Sequence, residues 1–352
     1  MNKKENKNIA NTRRKFIGNS AALATGLVLS GPSLFAGPAI LSSRSKRGSM
    51  INGVQLGTIT YSFRSMADQS AEATLQYVLD AGINAIELMG DPAESFAGKP
   101  KNRLDSKAFY AMMRKKREGT ELTADEAAEL KEMQAQNDAY TKEVIQWRSG
   151  ASMEKFEKLK KMYKQAGVHI YGFKPRAFGT KNTDAEIDYG LRAAKALGAN
   201  HVTLELPKDA AHTLKLGNMA AKHGMFVAYH GHEQQTPTWW DTALGQSENN
   251  MMNLDLGHYV AAGNEDALKL IQAKHSRIKS MHVKDRRNPE NGKQNMPFGE
   301  GDTPIVETLQ LMRDKKYKFP ATIELEYNIP KDSNAVKEVA KCLEYCRKAL
   351  NG

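Results

Sequence analysis

Four times along the chain a helical stretch ends at a glycine and a short apolar run follows at once. Ala81-Gly82 leads into residues 83–88, Ala166-Gly167 into 168–173, Leu197-Gly198 into 201–206, and His223-Gly224 into 225–229. Glycine just past the last helical turn adopts the left-handed cap conformation without a Cβ clash. The stretches ahead of it carry helical periodicity: Phe156, Leu159, Met162 and Tyr163 share one face, as do Ile187, Leu191 and Ala194. The runs themselves are almost continuously apolar, the pattern of strands covered on both faces. Similar runs at 54–60, 252–256, 278–283 and 321–325 bring the strands to eight. Eight strands alternating with helices predict an α/β fold, the (β/α)8 barrel. A doubly wound sheet is the alternative, but the first turn lacks the glycine-rich signature of that class.

The spacing breaks once, after the second strand. Residues 89–167 intervene before the third, and their middle, 105–147, is charged and helical, with a helix start at Thr123-Ala124-Asp125-Glu126. A helical insertion is expected at about 99–150. A barrel loop of this length commonly walls or lids a site; a solvated helical hairpin without a chemical role is the other reading. The later loop, 288–303, is rich in Gly, Asn and Pro, and Thr303-Pro304 reads as the N-cap and first position of a helix.

The front of the chain has a different composition. Thr12-Arg13-Arg14-Lys15-Phe16-Ile17 precedes an apolar, small-residue run over 21–34, a charged segment followed by an apolar one, as in an export signal. The paired arginines followed by Phe16 resemble a twin-arginine signal. The expectation is an export signal over 1–36, a linker over 37–50, the barrel over 51–352, and an exported, periplasmic protein. The apolar run is too short and too rich in Gly and Ser to span a bilayer, so no stable membrane span is expected after processing. The formal charge of +11 is inflated by Lys3, Lys4, Lys7, Arg13, Arg14 and Lys15 against Glu5; without them about +6 remains, which does not call for nucleic acid. Cys342 and Cys346, one helical turn apart and without a second pair, read as packing residues. With 40% hydrophobic residues in 352, the core can hold the fold without disulfides.

Barrel sites form at the C-terminal ends of the strands. Those ends carry Glu87 on strand two, Glu205 on strand four, His230 and His232 on strand five, Asp255 and His258 on strand six, His282 and Lys284 on strand seven, and Glu324 and Glu326 on strand eight. Residues two apart share a face, so His282 with Lys284, and Glu324 with Glu326, point the same way. Buried unpaired, such groups are costly; converging, they make a ligand set. Mixed imidazole and carboxylate donors suit Mn, Co, Zn or Fe as a divalent metal better than calcium. A divalent ion beside a sugar ketone stabilises the oxyanion formed when the adjacent carbon loses its proton, and a nearby carboxylate or imidazole takes that proton.

Residues 51–350 resemble the xylose-isomerase-like barrel superfamily, often labelled sugar phosphate isomerase/epimerase. The resemblance rests on Tyr229-His230-Gly231-His232, Asp255-Leu256-Gly257-His258, His282-Val283-Lys284-Asp285 and Ile323-Glu324-Leu325-Glu326-Tyr327. Keto-sugar epimerases of the superfamily hold their metal with Glu, Asp, His and Glu from strands five to eight. The resemblance therefore implies Asp255, His282 and Glu324 as ligands, with His230 standing where those epimerases have a glutamate, and Glu326 as the alternative to Glu324. In those epimerases the two glutamates are also the paired bases; Glu205, on the neighbouring strand, is the candidate to replace the one lost. His258 matches a substrate-binding histidine. The expected site has metal ligands His230, Asp255, His282 and Glu324, catalytic groups Glu205, His232 and His258, and substrate contacts Glu87, Lys284 and Glu326.

Apurinic endonucleases of the same superfamily carry a further Asp-x-His pair after strand seven; here Asp285-Arg286-Arg287-Asn288 lacks the histidine. No glycine-rich phosphate loop is present, although Lys284, Arg286 and Arg287 could meet an anion. The expected partner is a small, unphosphorylated carbohydrate, not nucleic acid; the sequence assigns no oligomeric state. The expected activity is metal-dependent removal of the proton next to the ketone of a keto-sugar, leading to β-elimination from a 3-keto-glycoside. The alternatives are an isomerase or epimerase, and a non-catalytic carbohydrate-binding protein.

Overall fold

The computed structural model describes residues 48–352; the expected export signal, and the linker up to residue 47, lie outside them. Eight parallel strands close into a barrel: β1 (Val54–Ile59), β2 (Ala85–Met89), β3 (His169–Lys174), β4 (His201–Glu205), β5 (Phe226–His230), β6 (Asn250–Asp255), β7 (Ile278–Val283) and β8 (Ala321–Ile323). Each pairs with its sequence neighbours, and β8 pairs β1 through Ala321↔Leu56 and Ile323↔Thr58, which closes the ring and excludes the open doubly wound sheet.

The glycine punctuation works as the sequence indicates. Helices Asp184–Leu197 and Ala210–His223 end at Gly198 and Gly224, at φ 82° and 64°, and each hands the chain to the next strand. The barrel takes up the chain at Ser49, inside the stretch expected as linker. The Ser49 hydroxyl is buried between Leu56 O (2.7 Å) and Asn84 Oδ1 (2.6 Å). Met50–Ile51 then pairs antiparallel with β1 across an Asn52-Gly53 turn whose two residues both have positive φ. The helix expected at Thr303-Pro304 begins at Ile305, with Pro304 at its cap; the Thr303 hydroxyl instead accepts from the Arg286 N–H at 2.9 Å.

The insertion is a helical hairpin, Ser106–Arg117 and Ala124–Gly150, the latter opened by a Thr123–Glu126 capping box. It has its own small apolar cluster of Phe109, Met112 and Leu130, apart from the barrel core. Only the last turns of the long helix are sunk into the barrel. Trp147 packs edge-on against Tyr189 (5.6 Å), and the buried Arg148 guanidinium pairs with Glu94 (3.1 Å) and Glu186 (2.9 Å). Cys342 and Cys346 are free and buried on the C-terminal helix Ala335–Asn351. Burial pushes the Cys342 thiol up to about 12, as suits a packing residue. Among the described residues no helix is long and apolar enough to cross a membrane.

Candidate metal centre and active site

The parallel register brings four strand ends to one point. His230 and Asp255 are the last residues of β5 and β6, Asp255 is paired with His282, and Glu324 follows the last residue of β8. One donor atom from each of the four lies within 4.8 Å of the others, and all four side chains are buried. His230 Nε2 and His282 Nδ1 are each 3.9 Å from Asp255 Oδ2, and His282 Nδ1 is 3.0 Å from Glu324 Oε2. The four residues expected as ligands are thus brought together.

A layer of polar groups beneath sets how these donors point. His230 Nδ1 meets Asn253 Oδ1 at 2.7 Å, which puts the ring proton on Nδ1 and leaves Nε2 as a lone pair aimed at the cluster. Asn253 is oriented in turn by donating to Ser280 Oγ at 2.6 Å. Burial holds His230 well below the usual imidazole range, and the cationic Lys174 and His282 push the same way. Glu87, expected as a substrate contact, belongs to this lower layer. It is fully buried, accepts from Thr203 Oγ1, and lies 2.9 Å from His282 Nε2. A carboxylate behind a histidine fixes the ring and leaves the other nitrogen for a ligand. Burial works to raise Glu87, but the adjacent His282 outweighs it and draws the carboxyl down to about 2. His282 rises to about 10 against its burial, because Glu324 and Glu87 flank it.

Lys284 was also expected at the substrate. Its side chain turns into the cluster instead, with Nζ 2.7 Å from Glu324, 2.8 Å from Glu326 and 2.9 Å from Asp255. Burial disfavours the ammonium, but the three carboxylates outweigh it and hold it charged. Asp255 Oδ1 accepts from the His258 N–H at 2.8 Å, whereas Oδ2 is buried without an aligned hydrogen-bond donor.

The expected catalytic residues form the rim. His258 Nδ1 receives a short hydrogen bond from Arg286 Nη1. A guanidinium only donates, so the neutral ring carries its proton on Nε2, which is buried, unpartnered and 3.9 Å from Glu326. Burial, then the charges of Lys284, His232 and Arg286, draw His258 down to about 2. His258 is therefore equipped to donate to a hydroxyl, not to act as a base. His230, His232 and His258 also come within reach of one point, but the Nε2 proton removes His258 as a ligand there. His232 is half exposed, its Nδ1 3.3 Å from Glu205 Oε2, and Glu205 Oε1 is 3.2 Å from Lys174 Nζ. His232 stands edge-on to His258, ring centres 4.6 Å apart. Glu205 and His232 thus form one acid–imidazole pair beside the donor set.

Sequence reasoning assigned no site role to Asn253, Lys174 and Glu233, and left Arg286 as a rim cation. Asn253 was within reach of the alternation rule, two residues before Asp255 and so on its face. Arg286 sits in a two-residue ribbon, Asp285–Arg286 with Asn295–Met296, where no periodicity marks it; Glu233 (2.7 Å) clamps its far side.

Residues 127–347 match the family model described as xylose isomerase-like TIM barrel. The chain belongs to that family. Inosose dehydratase from Clostridium perfringens is 27% identical over 157 residues, 39% of this chain and 52% of that protein. The chain spans about half the length of the curated relatives it matches. A sugar phosphate isomerase/epimerase from Parabacteroides distasonis superposes with TM-score 0.53 at 16% identity, over 89% of this chain and 97% of that one. A probable 3-DHS dehydratase from Bacillus anthracis gives TM-score 0.53 at 16% identity, over 82% and 97%. At such identity these structures share the barrel fold alone.

For a member of this family the donor set suits a divalent ion. It offers two imidazole nitrogens and two carboxylates, buried and mutually close, with second partners fixing both rings. Asp255 Oδ2, which has the Lys284 ammonium 2.9 Å away but no aligned hydrogen-bond donor, is an acceptor that such an ion would take up.

Proposed function

We propose that the protein is a metal-dependent lyase that removes the proton beside the ketone of a keto-sugar and expels the group on the next carbon, acting on 3-keto-glycosides. The observation that carries this reading is the pairing of the four-donor cluster with one proton acceptor, His232 backed by Glu205. His230, Asp255, His282 and Glu324 would hold the ion, which supplies positive charge at the ketone oxygen as the enolate forms. Glu205, 3.3 Å from His232 Nδ1, would favour a proton on that nitrogen and leave Nε2 to take the carbon-bound proton. The C–H electron pair becomes the new C=C bond, and the C–O bond to the aglycone breaks. The aglycone oxygen leaves with the proton returned by the imidazolium. His258 Nε2–H donates to a substrate hydroxyl, and Arg286 keeps the proton on that nitrogen.

Two features support elimination over epimerisation. His230 replaces a carboxylate that a two-base epimerase of this superfamily would use, and its Nδ1 is tied to Asn253. The sequence relative from Clostridium perfringens is named a dehydratase, and removal of water is itself an elimination.

The test is to incubate Mn²⁺-loaded protein with an aryl 3-keto-glucoside in D₂O. Release of the phenol is expected. Deuterium at the adjacent carbon without phenol release would instead mean isomerase or epimerase chemistry. Binding with neither would leave a carbohydrate-binding protein and overturn the enzyme reading.

Export is part of the same proposal, supported by Arg13-Arg14 ahead of the apolar run over 21–34. Changing both arginines to lysine should leave the protein in the cytoplasmic fraction; unchanged export would remove the twin-arginine reading.

A further inference from the structure

Lys284 occupies an unusual place for a lysine. Its Nζ lies 2.7 Å from Glu324 and 2.9 Å from Asp255, two of the four candidate ligands, and 2.8 Å from Glu326, which lies outside the set. It is 2% exposed, so water does not screen these contacts. A monovalent cation on the chain thus already sits among the carboxylates that a divalent ion requires. We propose that Lys284 is the protein's own occupant of the cation position, and that its ammonium and a divalent ion compete for Asp255 and Glu324.

The physical argument is one of charge and space. Asp255, Glu324 and Glu326 converge in a buried region, and carboxylates so placed repel one another strongly unless a cation lies between them. Lys284 is the cation that reaches all three, while His282 reaches only Glu324 and Asp255. A divalent ion at the quartet would stand within a few ångström of the same ammonium, and the two like charges would repel across the carboxylates that both use. Glu326 supplies the place to which the ammonium withdraws. It already accepts from Nζ, is the most exposed of the three acids, and needs no rearrangement to keep the lysine. Ion entry is therefore an exchange in which Lys284 moves from three carboxylates to one. Metal affinity is weaker than the donor set alone would give, and metal-free protein is stabler.

The inference rests on the reading of the quartet as a metal site, and calorimetric titration with Mn²⁺ separates the two. Lys284→Met is expected to bind Mn²⁺ about tenfold more tightly or better than the native protein. Its metal-free form is expected to melt several degrees lower, with Mn²⁺ restoring the loss. Glu326→Gln is expected to weaken Mn²⁺ binding in the native background, because the displaced ammonium loses its refuge, and to have no effect in the Lys284→Met background. Unchanged or weaker binding by Lys284→Met overturns the exchange while leaving the metal site intact. Equal weakening by Glu326→Gln in both backgrounds also overturns it, by making Glu326 a ligand. Absence of Mn²⁺ binding by native and Lys284→Met protein alike overturns both readings. Should Lys284→Met fail to fold even with Mn²⁺, Lys284→Gln takes its place in the same cycle with Glu326→Gln, and the same outcomes decide.

Discussion

Two clusters of buried charge lie in this barrel, and they differ in one respect. Around Arg148, every polar atom has a partner. The guanidinium meets Glu94, Glu186 and the Arg176 carbonyl; Glu94 also meets Lys99 and Tyr189, and Glu186 meets Asn182 and Thr183. At the barrel mouth the charges are as deeply buried, yet His258 Nε2 has no hydrogen-bond partner and Asp255 Oδ2 has only the Lys284 ammonium, without an aligned hydrogen bond. Burial of charge is common to both and marks neither as functional. The difference is where the leftover valence points. The Arg148 cluster is closed on itself and pins the insertion to the barrel. In the mouth cluster a lone pair of His230 and an oxygen of Asp255 converge on one point, and the Asp255 oxygen is met there only by the ion pair with Lys284.

The largest effects should fall on opposite observables in the two clusters. Asp255→Ala should cut turnover on the 3-keto-glucoside by about a thousandfold or more and abolish Mn²⁺ binding, as expected for loss of groups that hold developing charge. Its effect on melting temperature should be small beside that of Arg148→Met, because Asp255 is one of three carboxylates around the Lys284 ammonium and its loss strands no cation. Arg148→Met should do the reverse, costing about 3 kcal/mol in urea unfolding by stranding Glu94 and Glu186, with turnover per folded molecule unchanged. If Arg148→Met silenced the enzyme without unfolding it, the two clusters would not be separable in this way.

A smaller effect tests a satisfied group lying within the barrel itself. His201 is fully buried, with Nδ1 at Asn200 Oδ1 (2.7 Å) and Nε2 at Ser280 Oγ (3.0 Å). Burial draws it down to about 4 from an ordinary 6.5. The sign follows: between those values the unfolded chain binds a proton that the folded one does not, so stability is present above pH 6.5 and is lost as the pH falls toward 4. The loss from this residue is about 3 kcal/mol. Urea unfolding at neutral pH and near pH 4.5 should therefore show a smaller pH difference in His201→Gln than in the native protein. Equal differences would mean that His201 is not held neutral. His230 and His258 titrate in the same direction but are present in both proteins, so the comparison cancels them.

The sequence made the barrel and the donor set legible for one reason: strand ends are marked by glycine caps and apolar runs, and barrel chemistry collects at those ends. It did not make depth legible. Glu87 is the third residue of a five-residue strand, whereas Glu205 and His230 are the last of theirs. Strand position thus puts Glu87 one layer below the mouth, behind His282, although all three read simply as polar groups on inward faces. Lys284 was placed on the correct face, but four methylenes decide whether a lysine reaches out to a substrate or in to a carboxylate. That choice is made by Asp255 and Glu324, which come from other strands. Arg286 depended on a short ribbon closed by residues 295–296, a contact that no local pattern announces.

The smallest effect is expected at the insertion. A long loop after a barrel strand invites the reading of a lid, but its contacts place it with the satisfied cluster. Val144 and Arg148, at the end of the long helix, are buried, whereas the hairpin's outer part packs on itself through Phe109, Met112 and Leu130 and leaves Tyr110 62% exposed. None of the groups that touch the donor quartet or the Glu205–His232 pair comes from it. Replacing residues 106–140 with a short flexible linker should therefore leave Mn²⁺ affinity unchanged and turnover within about threefold. The change in barrel stability should stay near 1 kcal/mol, since loop closure varies slowly with length and the Arg148 anchor remains. The measurements are calorimetry, phenol release and urea unfolding on the shortened protein. A tenfold fall in turnover at unchanged Mn²⁺ affinity would break the division, because it would mean that the hairpin reaches the substrate during the reaction while resting on the structural cluster between turnovers.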